Sequence, residues 1–223
     1  MSRGRFIVIE GSDGSGKSTQ FKLLADYLTA HGIPFASHHF PRYEEPSSYF
    51  VQEYLKGSYG GADEQGAYKP SLFYALDRFA AGEGIRKELE AGKIVLCDRY
   101  IGSNMAHQGQ KLPTEEERTK YFSWLHEIEY DILGIPKPDE NIVLSIPAEL
   151  SVKLMAQRDQ SKNSVKGDIH EADVNHLERS VRTYREICDL FPEEFYLVDC
   201  AVKGKLRPIE DIHRQIIDRL NLQ

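Results

Sequence analysis

The residues best equipped for chemistry are contiguous: Gly11-Ser12-Asp13-Gly14-Ser15-Gly16-Lys17-Ser18-Thr19. A Gly-x4-Gly-Lys-Ser run between a buried strand and a helix reads as a phosphate-binding loop. Its glycines let successive backbone N–H groups turn inward into a concave anion site at a helix N-terminus, where the dipole also favours negative charge. Lys17 can then reach terminal phosphates, and the Ser18 hydroxyl can ligate Mg²⁺. By composition, the bare pattern arises by chance in roughly one chain of this length in a hundred. A structural glycine turn is the plainer alternative, and the flanks count against it. Phe6-Ile-Val-Ile9 precedes the loop; Phe21, Leu24, Ala25 and Leu28 follow at helical spacing, with Gly32 and Pro34 to stop the helix.

Further candidates follow later apolar runs: Phe40-Pro41-Arg42-Tyr43 after the second, Asp98-Arg99-Tyr100 after the third. An Asp ending an apolar strand, in a chain with a phosphate loop, is placed like a carboxylate that holds Mg²⁺ directly or through water, although it can also simply cap the next turn. Arg42 and Arg99 bring two guanidinium forks, suited to a bidentate grip on phosphate, to the same edge; a surface ion pair is the bland reading of each. On a helix expected from Pro70, Tyr74 and Arg78 lie four apart on one face. A ring there can stack on a flat base while the guanidinium donates to its edge. Phe73, beside them, reads more simply as core.

Such residues need a sheet to bring them together, because ligands of open α/β sheets sit at the carboxyl ends of the strands. Five short apolar runs, Phe6–Ile9, Phe35–Phe40, Ile94–Cys97, Ile142–Ile146 and Phe195–Val198, alternate with helical stretches, which predicts a parallel sheet covered on both faces. Pro113-Thr114-Glu-Glu-Glu117 forms a capping box before a helix running toward Gly134, and Pro147 and Pro208 each open a helix. Val174, Leu177, Val181, Tyr184 and Cys188 make one buried stripe. With 223 residues, 40% hydrophobic and 28% charged, one domain over residues 1–223 is expected. The polar, Gly-rich stretch Lys56–Lys69 reads as a loop, and a lid is expected at about 158–170, with Arg158, Lys162 and Lys166 on it.

A net charge of −7 argues against a broad grip on a nucleic acid polymer, so bound phosphates must be held by local geometry. Cys97, Cys188 and Cys200 lack zinc or disulfide spacing, and Cys97 sits in an apolar run as a core residue. The first residues carry no signal-peptide pattern and no apolar run reaches membrane-spanning length, so a cytoplasmic setting is expected.

Taken together and in order, Val8-Ile-Glu-Gly-Ser-Asp-Gly-Ser-Gly-Lys-Ser-Thr19, Phe40-Pro-Arg-Tyr43, Tyr74-Ala-Leu-Asp-Arg78 and Asp98-Arg-Tyr100 with Ser103-Asn104 resemble the thymidylate kinases along nearly the whole chain. The resemblance implies a P-loop kinase fold, ATP-dependent phosphorylation of dTMP to dTDP, and a homodimer. It gives the loop from Gly11 to Thr19 to ATP, and Ser18 and Asp98 to Mg²⁺. It gives Phe40, Arg42, Tyr43, Tyr74, Arg78, Arg99, Ser103, Asn104 and His107 to the acceptor. Among these, Arg42 and Arg99 would hold the acceptor phosphate, Tyr74 would stack on thymine, Arg78 and Asn104 would bond the base, and Tyr43 and His107 would close around the deoxyribose. Lys17, Asp13, Arg99, Asp98 and Arg158 would surround the transferring phosphoryl group, with Asp13 near the acceptor's sugar and phosphate.

Three departures stand out. Position 14 is Gly where one branch of the family has a catalytic arginine; in the other branch the lid supplies positive charge. His107 stands where Tyr or Phe is frequent, and Ser145-Ile146-Pro147 replaces Leu-Asp-Val. Asp168 and Glu171 read as helix caps. A nucleoside kinase or a nucleotide switch would share the loop, but Arg42 suits an acceptor already bearing phosphate, and no Asn-Lys-x-Asp guanine-reading motif is present.

Overall fold

A computed structural model describes residues 3–61, 64–161 and 174–222, without the side chains of 157–161. Five parallel strands form one sheet in the order β2-β3-β1-β4-β5: β1 Phe6–Gly11, β2 Phe35–His39, β3 Ile94–Asp98, β4 Glu140–Ser145 and β5 Phe195–Asp199. The strands coincide with the five apolar runs. β1 is central and wholly buried, which is why its sequence is a continuous apolar run rather than an alternating one. Successive side chains point to opposite faces. Phe6 and Val8 therefore enter one core with Tyr100, Met105, Phe122 and Ile187, while Ile7 and Ile9 enter a second with Leu24, Leu28, Ile212 and Ile216. Full burial of each such side chain stabilises the fold by roughly 1.5–3 kcal/mol.

The described residues contain eight α-helices. α1 (Lys17–Ala30) and α8 (Ile209–Leu220) cover the second core; α3 (Tyr68–Glu90), α4 (Ile101–Gly109), α5 (Glu115–His126) and α7 (Val174–Leu190) cover the first; α2 (Tyr49–Leu55) packs on α3 and α6 (Ala148–Ser161) on α7. Register places Ile9 beside Asp98 and Gly11 beside Leu144, so the loops after β1 and β3 meet at one edge.

The capping box forms: the Thr114 hydroxyl accepts from Glu117 N, and Glu117 accepts from Thr114 N. Other elements differ from expectation. α3 begins at Tyr68 rather than Pro70, with Pro70 inside the first turn, where its missing N–H is not needed. α5 continues into a π-helical turn, Glu127–Ile132. Pro147 and Pro208 are the residues flanking α6 and α8, not their first helical ones. On α7, Val174 is exposed, and the buried face is polar as well as apolar, with His176, Ser180, Thr183 and Ile187 joining Leu177, Tyr184 and Cys188. A hairpin of β6 (Ala201–Val202) and β7 (Lys205–Leu206) was not readable, its strands being too short to show alternation. α6 extends through Ser161, so the polar stretch from Arg158 opens within a helix. The Arg158 side chain, Lys162, Lys166, Asp168 and Glu171, and with them the lid expectation, lie outside the described residues.

Candidate active site

The loop after β1 turns at Gly11, Gly14 and Gly16, all with positive φ, and delivers the chain into α1 with no side-chain cap. Helical N–H groups are thereby left facing the loop concavity, as anion binding requires. Ser18 lies exposed on the first turn of α1. Lys17 folds back over the loop and its Nζ donates to Gly11 O at 2.9 Å and Ser12 O at 2.8 Å. Burial and the nearby Arg99 charge lower its pKa to about 8. A Cβ at Gly14 would lie 2.5 Å from Ser151 Oγ and 2.9 Å from Ser151 O, at φ +73°. Helix α6 therefore occupies the space an arginine at position 14 would need.

Arg99 adopts φ 64° directly after Asp98, with its N–H on Ile9 O at 3.1 Å. This left-handed step turns its guanidinium to the loop, where it pairs with Asp13, donates to Ser103 Oγ at 3.2 Å and lies 3.3 Å from His107 Nε2. Burial alone would raise the Asp13 pKa; the Arg99 and Lys17 charges overcome that and hold its carboxyl well below the usual carboxylate range. Burial and Arg99 likewise push His107 well below the ordinary imidazole value, so it is neutral near pH 7. Asp98 Oδ1 is buried without a hydrogen-bond partner, an oxygen of the kind Mg²⁺ takes.

Toward the other end, Tyr74 and Arg78 rise from α3 and Asn104 from α4. Arg78 is buried and grips Glu129 with two bonds, Nε to Oε2 at 2.6 Å and Nη2 to Oε1 at 2.5 Å. Asn104 Nδ2 donates to Ser71 O at 3.2 Å and reaches Glu129 Oε1 at 3.4 Å, while its buried Oδ1 has no partner.

One pocket of about 230 Å³ unites these groups: Asp13, Phe40, Tyr43, Tyr74, Arg78, Arg99, Ser103, Asn104 and His107 line it, with Pro41, Leu55, Tyr100 and Gln108. Arg42 alone among the expected acceptor residues is not in the lining. Its N, Nε and Nη2 are taken by Asp77, at 2.8 Å, 3.2 Å and 3.0 Å, with Ser47 Oγ at 2.8 Å from Nη2.

Several organising residues were not singled out from sequence. Glu10, fully buried, accepts from Tyr100 N (2.7 Å) and Ser103 N (3.0 Å) on Oε1, and from Ser103 Oγ (2.6 Å) and Tyr184 OH (3.0 Å) on Oε2. It thus fixes the start of α4, and Gly102 leaves room for it. A carboxylate ending an otherwise apolar central strand was the available signal. Asp77, Glu129 and His176, whose Nε2 lies 3.4 Å from His107 Nδ1, carried none.

A parallel sheet in this order, with a phosphate loop after its central strand and a pocket against that loop, defines a P-loop kinase. The sequence model of one family, described as thymidylate kinase, matches residues 9–216. The chain belongs to the thymidylate kinase family. It is 32% identical over 182 residues to the thymidylate kinase of Mycobacterium tuberculosis, covering 81% of this chain and 84% of the relative. It is 31% identical over 221 residues to the probable thymidylate kinase of Pyrococcus horikoshii, covering 96% and 95%. In fold it is similar to a solved thymidylate kinase from Candida albicans, with TM-score 0.72 and 23% identity over 100% of this chain and 93% of that one.

Proposed function

We propose that the protein transfers the γ-phosphoryl group of ATP to dTMP, giving dTDP and ADP. The observation that carries this reading is the single pocket that runs from the phosphate loop's Asp13 and Arg99 to Tyr74, Arg78 and Asn104. Its far end is lined by the Tyr74 ring, the Arg78 guanidinium and Asn104, whose buried Oδ1 has no partner. Thymine, with a carbonyl acceptor beside its N3–H donor, matches that pattern.

In this reading the loop N–H groups and Lys17 bind the donor phosphates, and Arg99 exchanges Asp13 for the acceptor phosphate. An acceptor oxygen forms the new bond to phosphorus as the bond to the ADP oxygen breaks. No general base is needed, because a phosphate monoester is largely dianionic near neutral pH. Positioning and charge neutralisation carry the rate. Ser18 and the unpartnered Asp98 Oδ1 fit Mg²⁺, which when bound supplies further neutralisation of the phosphate oxygens. Arg42, held by Asp77 at the pocket's edge, would position the acceptor phosphate from outside the present lining.

The chain acts as one domain and as a homodimer. Supporting the dimer, Tyr68, Leu72, Leu76 and Phe79 form one exposed apolar face of α3. A cytoplasmic setting is supported by three buried, unpaired cysteines. Among the described residues no helix is long and apolar enough to cross a membrane.

The test is ADP release from Mg-ATP with dTMP, dUMP, dCMP, dGMP, AMP and thymidine offered separately. Turnover is expected to be strongest with dTMP and absent with thymidine; the reverse would discard the acceptor assignment.

A further inference from the structure

Glu129 touches both groups that face the base end of the pocket, yet does not line the pocket itself. It sits in the π-helical turn Glu127–Ile132, where Leu133 N bonds Ile128 O and Ile135 N bonds Glu129 O. Such turns re-aim single side chains and occur at functional sites. Here the turn carries a wholly buried carboxylate to Arg78 across 51 residues of chain. A buried carboxylate is acceptor-only, so it dictates the polarity of whatever it meets. It takes two N–H groups of Arg78 and so fixes where the remaining guanidinium donors lie. With Ser71 O it presents two acceptors to Asn104, so the amide nitrogen must face them and the oxygen is left over.

We infer that Glu129 is a positioning residue for pyrimidine specificity: it holds the Arg78 donors in one place and turns the Asn104 amide so that its oxygen, not its nitrogen, is the atom left without a protein partner for the base. This rests on the reading that the pocket takes the base of dTMP. A base with a carbonyl next to an N–H donor then fits, whereas the cytosine edge, an exocyclic amine beside an unprotonated ring nitrogen, meets donor against donor and acceptor against acceptor. Glu129→Gln puts an amide N–H₂ into the cluster. Its donors oppose Asn104 Nδ2 and favour the flipped amide, with nitrogen toward the pocket.

The experiment is steady-state phosphorylation of dTMP and dCMP by the full chain with Mg-ATP. The ratio of the two kcat/KM values does not depend on how much of a variant is folded. Glu129→Gln is expected to lower the preference for dTMP at least about tenfold, with the KM for ATP unchanged. Glu129→Asp keeps the charge but withdraws it by one methylene; it is expected to raise the KM for dTMP about threefold or more while kcat holds. A retained preference in the first variant, or an unchanged dTMP KM in the second, overturns the inference, and either variant decides alone if the other does not fold. A wild-type chain without preference for dTMP overturns the reading of the pocket, and this inference with it.

Discussion

At the phosphate end of the pocket the Asp13 and Arg99 side chains are each 22% exposed, whereas at the base end Arg78 and Glu129 are 2% and 0% exposed. Both are arginine–carboxylate pairs, but they suit different work. A part-open pair can trade partners with water and ligand at modest cost, so Arg99 can leave Asp13 for an incoming phosphate. A sealed pair cannot, because separating it strands a charge in the interior. Its rigidity is what a hydrogen-bond reader requires, since discrimination depends on donors and acceptors that do not reorient. Charge that must move is placed where it is partly wet, and charge that must stay is placed where it is dry.

The most severe way to break this division is at the loop. Lys17→Met is expected to lower turnover by at least about a thousandfold with an unchanged circular dichroism spectrum, since among the described residues Lys17 bonds only loop carbonyls and lies near Asp13. ADP production is the measurement, and a variant retaining a tenth of the activity would remove Lys17 from the chemistry. Stability should respond in the opposite place. Arg78→Ala is expected to cost about 3–5 kcal/mol in urea unfolding by leaving Glu129 unpaired, against about 1 kcal/mol for Asp13→Ala. Equal losses would erase the contrast between the two pairs.

The same contrast explains what could be read from the sequence. The phosphate loop was legible because its working groups are consecutive and their types, Gly, Lys and Ser at fixed spacing, follow from one local geometry. The sheet was legible because burial on both faces makes each strand a short apolar run. The base end was legible only in part: Tyr74 and Arg78 read as a helical pair able to stack on a flat base and donate to its edge, whereas thymine as that base, and Asn104 as its partner, came from resemblance. The partners that fix the site are remote, 51 residues for Arg78 and Glu129, 35 for Arg42 and Asp77, 90 for Tyr100 and Glu10. No local pattern marks an acidic residue as somebody's counter-charge. On α7 the apolar stripe shows Leu177, Tyr184 and Cys188 as buried but not His176, Ser180 and Thr183 beside them, because a face that packs on a site is chosen for hydrogen bonding, as Tyr184 on Glu10 shows.

A smaller effect sharpens the comparison within the base end. Tyr74 lines the pocket one turn before Arg78. If it stacks on the base, Tyr74→Ala should weaken dTMP binding by about 1–3 kcal/mol in calorimetric titration while ATP binding is nearly unchanged. Unchanged dTMP affinity would leave recognition to the hydrogen-bonding groups alone.

The last predicted effect is graded with pH, and its sign is decisive. Lys17 titrates at about 8 in the folded chain because burial and the Arg99 charge disfavour its ammonium. Between about pH 8 and 10.5 the unfolded chain therefore binds more protons at this group than the folded one, so its contribution to stability rises with pH through that window. The charge that grips phosphate disappears over the same window. The kcat/KM for ATP should fall by about tenfold per pH unit above about 8, while the contribution of Lys17 to stability moves the other way. Unfolding at this group therefore cannot be the cause of the fall. Bound phosphates favour the ammonium, so the same limb in kcat should shift to higher pH. Coincident limbs in kcat and kcat/KM would mean that Lys17 does not sense the donor phosphates, and the part-open end of the pocket would lose its claim to be where charge is exchanged.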